Sequence, residues 1–293
     1  MIKLACNFLT LLCATSVWAG SVETKNIVTP TVVEKNGVEF HFRSGADYVG
    51  SGDFRYRPAG DQDAFHANFQ GGVNIPLSRE SWFVRLDGFY DRYDFGTSLA
   101  PVPTTLHKLG AEIGLEYHAD NETAIALFAS PGIYGSEINS DAFNVPITGY
   151  FSYRLTPNLV AVAGARWNQW GMYQILPSGG LIWTINDQWK LRGIITAPKI
   201  EYRPNDSWMF SAGGDLTGGT YLTAKNEQNY PDKHLDYYDI RGGLSATYRG
   251  WKPFEFQLTG GWSFERNFRY DDIDVEYRVK GAPYVGFVAR ASF

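Results

Sequence analysis

Acid–base chemistry in this 293-residue chain would have to begin at its five histidines. A histidine two residues before a serine on one strand face lets the imidazole take the hydroxyl proton, the arrangement a strand-borne hydrolase needs. His41, His66, His107, His118 and His234 are followed at that spacing by Arg43, Asn68, Leu109, Asp120 and Asp236, so none has it. A protease would need paired acids beside a histidine. Asp271-Asp272, with Asp274 and Glu276, and His234, between Asp232 and Asp236, come nearest. Oxygen-rich loops of that kind also suit calcium, magnesium or contacts bridged to lipopolysaccharide. No calcium-loop or histidine-pair spacing accompanies them, and a solvated acidic loop is the plainer reading. Gly213-Gly214 and Gly218-Gly219 fall in a strand and its exit, so they make no phosphate cradle. The expectation is no catalytic residue, no metal and no cofactor; hydrolysis stays open only through groups brought together from separate strands.

A second set of charges recurs at alternate positions. In Phe254–Glu265, Phe254, Phe256, Leu258, Trp262 and Phe264 share one face, while Glu255, Gln257, Thr259, Ser263 and Glu265 share the other. Leu109, Ala111, Ile113, Leu115 and Tyr117 likewise oppose Lys108, Glu112, Glu116 and His118. Period two with one apolar face is shared with a soluble sandwich; mid-strand charge on the other face points to a transmembrane β-barrel. Parity then assigns Arg85, Asp87, Asp91, Lys108, Glu112, Glu116, Arg154, Arg166, Lys190 and Arg192 to the lumen. The same rule adds Lys199, Glu201, Arg203, Asp215, Asp239, Arg241, Arg249, Glu255, Glu265 and Arg290. Both signs occur in comparable number, so these side chains either pair across the lumen and close it or line a narrow polar pore.

The elements that position them are strands joined by two kinds of link. Short polar turns occur at Ser78-Arg79-Glu80, Asp120-Asn121-Glu122, Thr156-Pro157-Asn158, Asn186-Asp187-Gln188, Pro204-Asn205-Asp206 and Gly250-Trp251-Lys252-Pro253. Longer links are expected at 45–63, 95–104, 135–144, 223–235 and 267–280. Short periplasmic turns alternating with longer outer loops predict one all-β, antiparallel barrel of about twelve to fourteen strands. Trp82, Trp189, Trp208 and Trp251 stand beside short turns, where an interfacial aromatic girdle belongs. In the last strand Phe293, Ala291, Ala289, Phe287 and Val285 share a face. A terminal Phe293 of this kind resembles the signal that hands outer-membrane barrels to their assembly machinery.

Residues 1–19 read as a cleaved secretory leader: Lys3, an apolar run too short to span a bilayer, and a small-residue exit at Ala19. Residues 20–36 are expected to be a periplasmic lead and 37–293 the barrel. Cys6 and Cys13 both lie in the leader, which excludes a disulfide scaffold in the rest. Aromatic residues make up 16% of the chain, 31 residues are glycine, and no apolar run outside the leader is long enough for a spanning helix. A formal net charge of −5 argues against a nucleic-acid partner.

The segments Trp183-Thr-Ile-Asn-Asp-Gln-Trp-Lys-Leu191, Ala197-Pro-Lys-Ile-Glu-Tyr-Arg-Pro-Asn-Asp-Ser-Trp208 and Gly213-Gly-Asp-Leu-Thr-Gly-Gly-Thr-Tyr221 resemble a family of bacterial outer-membrane barrels known only as a domain of unknown function. The resemblance extends from about Ala64 to Phe293. It implies the fold and an outer-membrane location and transfers no catalytic residue. Three readings follow: a porin-like passive channel for small polar solutes, a closed barrel whose loops contact lipopolysaccharide or a partner, and an outer-membrane hydrolase. The first leads, because the inward faces are polar and catalytic spacing is missing.

Overall fold

The computed structural model describes residues 37–55, 60–77, 81–227 and 229–293. The expected leader, its cysteines, the lead and the turn at Ser78-Arg79-Glu80 lie outside the described residues. The strands are β1 (Glu39–Asp53), β2 (Asp61–Pro76), β3 (Trp82–Phe95), β4 (Thr105–His118), β5 (Thr123–Ala129), β6 (Gly132–Gly135), β7 (Phe143–Asn144) and β8 (Ile147–Thr156). They continue as β9 (Leu159–Trp167), β10 (Ile175–Thr184), β11 (Trp189–Ile194), β12 (Lys199–Tyr202), β13 (Trp208–Leu222), β14 (His234–Trp251), β15 (Phe254–Tyr270) and β16 (Val275–Ser292). All except β6 and β7 join one antiparallel ring that closes through β1–β16 and β12–β13, making fourteen strands. No helix of the described residues is long and apolar enough to cross a membrane.

The ring has two storeys. In the lower one, toward the short turns, Leu244, Leu258, Leu127 and Phe287 point outward and stay exposed. A continuous apolar exterior is stable only against lipid. In the upper storey the polarity of the wall inverts. Tyr93 and Phe95 on β3, Leu235 and Tyr237 on β14, Phe268 and Tyr270 on β15, and Tyr277 and Val279 on β16 are buried together inside. Their neighbours Arg92, Asp94, Asp236, Arg269, Arg278 and Lys280 take the opposite face, which suits water and not lipid. Phe268 packs with its ring centroid 4.9 Å from those of Phe95 and Tyr237. The aromatic core fills the upper storey.

Only β13–β16 and β1–β4, at 14 to 18 residues, reach the upper storey. β5 and β8–β12 have 4 to 10 residues and end lower. The upper ring is completed by a bent hairpin. β6 extends β5 beyond Pro131, and β7 precedes β8 across Pro146; each proline removes a ladder donor where the pair leaves the wall. β6 stays paired to β4 through His107–Gly110 and reaches β13 at Leu222, where the Ser136 amide donates to the Leu222 carbonyl at 3.0 Å. β4 and β13 lie seven strands apart either way round the ring, so the hairpin cuts across it and narrows the upper storey.

These upper strand ends replace much of what the composition assigns to long links. β1 continues to Asp53, β15 to Tyr270, and β16 starts at Val275, so 45–63 and 267–280 are mostly strand. The short turns form as expected. Asn186 Oδ1 accepts from the amides of Gln188 and Trp189 at 3.0 and 2.9 Å, and Asn205 Oδ1 does the same for Ser207 and Trp208 at 3.0 Å each. The tryptophan that follows opens the next strand against a cross-strand tyrosine: Trp189 with Tyr202 and Trp208 with Tyr248. In the repeated Asn-Asp-x-Trp, asparagine therefore makes the turn and tryptophan anchors the strand.

Candidate functional site

The lower storey encloses a cavity of about 600 Å³. Parity puts charge on its wall because every second residue of the long strands must turn away from lipid. Of the residues assigned inward from sequence, Arg85, Asp91, Lys108, Arg192, Lys199, Glu201, Asp215, Arg241, Arg249, Glu255 and Arg290 border it. Glu112 and Arg166 border a smaller recess that shares Asp91 and Lys108. Asp87 and Asp239 have no exposed side-chain surface and are held inside ion clusters. Glu116, Arg154, Lys190 and Arg203 stand near the short-turn ends, off both walls.

Glu265 is on the other face. Ile240 pairs with Glu265 while the adjacent Arg241 pairs with Ser263, so β15 holds one extra residue and its parity reverses. Glu265 instead meets Arg55 at 3.3 Å and Arg278 at 4.0 Å. Arg266 takes the inward position, fully buried, and donates to the carbonyls of Gln62 and Gly50.

Three ion pairs of the wall join adjacent strands. Arg192 meets Glu201 at 3.0 Å between β11 and β12, Arg249 meets Glu255 at 3.1 Å between β14 and β15, and Lys108 meets Asp91 at 3.5 Å between β4 and β3. The longest reach is at the boundary below the aromatic core. There Arg241 holds both Asp239, at 2.6 Å, and Asp47, three strands away. Asp47 and Asp91 also flank His66, at 2.9 and 3.6 Å, and the His66 ring stacks on Tyr93 at 4.1 Å. Asp239 accepts a further hydrogen bond from Ser263 Oγ at 2.6 Å. This belt separates the cavity from the aromatic storey.

Four wall residues were not assigned inward from sequence: Asp47 falls in the link expected at 45–63, and His41, Arg43 and His66 lie on β1 and β2, to which no parity was applied. His41 pairs with Asp87, His107 with Tyr90, His118 with Glu116 and His234 with Asp272. Among the described residues no histidine is hydrogen-bonded to a serine or threonine hydroxyl, and no cluster of three histidine, cysteine or acidic side chains is placed to hold a metal. The acidic outer loop forms a different contact. Burial and the neighbouring Asp236 push the Asp271 carboxyl up to about 7, and Asp236 also accepts from the Met172 amide at 3.1 Å.

The wall has one incomplete edge. β14 pairs with all of Trp208–Leu222 on β13, whereas β12 pairs only with Phe210–Gly213. The Gly214 amide still donates to the Pro198 carbonyl at 2.8 Å; beyond it β12 no longer pairs with β13, and the cavity is bordered there by Ala197, Gly214, Thr217 and Gly218. Gly218 has φ +119°, and a Cβ there would stand 2.1 Å from the Tyr237 carbonyl oxygen, so only glycine fits. The hydroxyls of Thr217, on β13, and Thr196, next to Ala197, are buried without a hydrogen-bond partner.

These features define a closed transmembrane-type β-barrel with a charged internal cavity. The chain belongs to the family described as a domain of unknown function (DUF6268), whose model matches residues 42–287. No curated protein matches it in sequence. In fold it is similar to the COG4313 outer membrane channel from Pseudomonas putida F1, at 11% identity over 91% of this chain and 100% of that one, with a TM-score of 0.49. It is also similar to a deletion mutant of the TodX monoaromatic hydrocarbon channel, at 11% identity over 94% and 96% of the two chains and TM-score 0.43. The outer membrane channel DcaP of Acinetobacter baumannii aligns at 11% identity over 91% and 100%, with TM-score 0.38.

Proposed function

We propose that the protein is a porin-like passive channel of the bacterial outer membrane for small polar solutes, delivered there by a cleaved leader and by a C-terminal strand ending at Phe293. One observation carries this reading: three ion pairs of the wall join adjacent strands, and about 600 Å³ of polar lumen remains within the ring. Pairing across the barrel would have filled that space. The aromatic core blocks the direct way up, so the route runs from the short-turn mouth through the cavity to the uncovered edge of β13, above the short wall. Phe293 supports the assembly role by exchanging backbone hydrogen bonds with Phe40, at 2.9 and 3.1 Å, at the β1–β16 closure.

The test is single-channel recording of refolded Gly20–Phe293 in a planar bilayer. Steady openings are expected, and persistent silence from correctly folded protein refutes conduction. The aromatic closure favours one second reading, a vestibule that holds a solute without passing it, with outer loops that contact lipopolysaccharide or a partner. Binding without conductance would select it. Among the described residues no serine or threonine hydroxyl is hydrogen-bonded to a histidine, so nothing there supports hydrolysis.

A further inference from the structure

One patch of the cavity wall carries two cations that, among the described residues, form no ion pair with a carboxylate. Arg43 on β1 and Arg290 on β16 are directly opposed across their strand pair, and both border the cavity. Opposed residues start about 4.5–5.5 Å apart at Cβ, so the two guanidinium groups share one patch. Arg290 hydrogen-bonds neutral Gln257 at 2.8 Å. Arg43 makes no hydrogen bond or ion pair among the described residues, and its Nε is buried without a partner. Glu255 faces Arg290 across β15 and β16, but it meets Arg249 at 3.1 Å.

The rest of the wall is balanced differently. Arg85 has Asp87, Lys108 has Asp91, Arg192 has Glu201, and Arg241 has Asp47 and Asp239. Lys199 differs from Arg43 and Arg290: it has no carboxylate at ion-pair distance among the described residues, but the Asp215 and Glu201 charges act on it. Like charges side by side repel, a cost that an anion lying between them removes. Guanidinium groups present paired N–H donors that match the oxygens of a carboxylate or phosphate.

We propose that Arg43 and Arg290 form a binding site for small oxyanions, carboxylates or phosphate, near the short-turn mouth of the cavity. The site stands on its own geometry. That the solutes conducted are anions rests in addition on the channel reading above.

Two measurements separate these claims. Calorimetric titration of the folded full barrel with sodium succinate, and separately with sodium phosphate, reads the site without conduction, and the lower fitted dissociation constant identifies the preferred oxyanion. Arg43→Gln and Arg290→Gln are each expected to weaken binding about tenfold. Arg43→Lys keeps the charge and loses the two-pronged donor, so it should weaken binding less. Arg278→Gln, on the outer face, should bind like the parent and controls for lost charge. Folding of each variant is checked by heat-dependent gel migration. Flat titrations of the parent with both salts, or unchanged affinity in both glutamine variants, overturn the site. In bilayers under a salt gradient, the reversal potential of the parent should show anion preference, reduced in Arg43→Gln. A cation-preferring parent overturns the anionic-solute claim, and a silent bilayer with binding intact overturns conduction and leaves the site standing.

Discussion

Asp239→Asn tests whether the belt below the aromatic storey is dry. Asp239 is fully buried and accepts from Arg241 Nε and from Ser263 Oγ, each at 2.6 Å. Asparagine keeps the shape and can still accept from Ser263, so the change isolates one charge. Arg241, whose side chain is 5% exposed, retains Asp47 and stays neutralised. The loss is thus one charge-assisted hydrogen bond, about 1.5–3 kcal/mol. Arg241→Met is harsher, because it leaves Asp47 and Asp239 without their shared cation, and should cost about 3–5 kcal/mol. In the double variant the two costs overlap, with a coupling of at least about 1.5 kcal/mol. Equilibrium urea unfolding in lipid vesicles, followed by tryptophan fluorescence, gives all four corners of this cycle. A cost for Asp239→Asn below about 0.5 kcal/mol, with no coupling, would mean that water already screens the pair and that the cavity continues into the upper storey.

Three further outcomes are expected. Thr217→Trp places an indole where the cavity meets the uncovered edge of β13 and should cut single-channel conductance by more than half; unchanged conductance in folded protein removes the side route. A disulfide joining Ser136→Cys to Ala224→Cys, where the Ala224 amide now donates to Ser136 Oγ at 2.9 Å, should leave conductance unaltered, and a block relieved by reductant would make the bent hairpin the gate instead. Asp271 carries a pKa raised from 3.8 to about 7, so folding takes up a proton between those values. Its stabilising contribution is complete below about pH 4 and fades as pH rises through 7. The urea midpoint of the parent should therefore fall between pH 5 and 8 by more than that of Asp271→Asn, and equal slopes would rule out the effect.

Strand polarity was legible wherever the wall meets lipid. On β4 the inward set Lys108, Glu112 and Glu116 and the outward set Leu109, Ile113 and Leu115 follow from parity alone, because lipid on one side and a wet lumen on the other force period two. The rule fails at two kinds of place. A bulge changes parity without changing composition: Phe264 and Glu265 look like a continued alternation, yet the extra residue sends Glu265 outward and Arg266 in. The upper storey breaks the rule itself. Where water replaces lipid outside, the apolar side chains belong within, so Tyr277 and Val279 alternate with Glu276, Arg278 and Lys280 in the opposite sense. A composition rich in charge and tyrosine then resembles a loop.

The same inversion explains why the unpaired cations were harder to see than the charges themselves. Parity placed Arg290 on the lumen side, but which cations keep a carboxylate depends on register between distant parts of the chain. Arg43 meets Arg290 because the first and last strands close the ring, a pairing separated by nearly the whole barrel sequence. The boundary between storeys has the same origin. Asp47 sits in a stretch whose glycines and serines look loop-like, and it becomes the second partner of Arg241 only because β1 continues through Asp53. That belt lets one wall change from polar-in to aromatic-in without stranding a charge. Where the short strands stop at this level, the polar cavity meets an edge of β13 that β12 does not cover. A side route there would need no opening of the aromatic core, so the core can be packed as tightly as a soluble protein interior above a polar cavity.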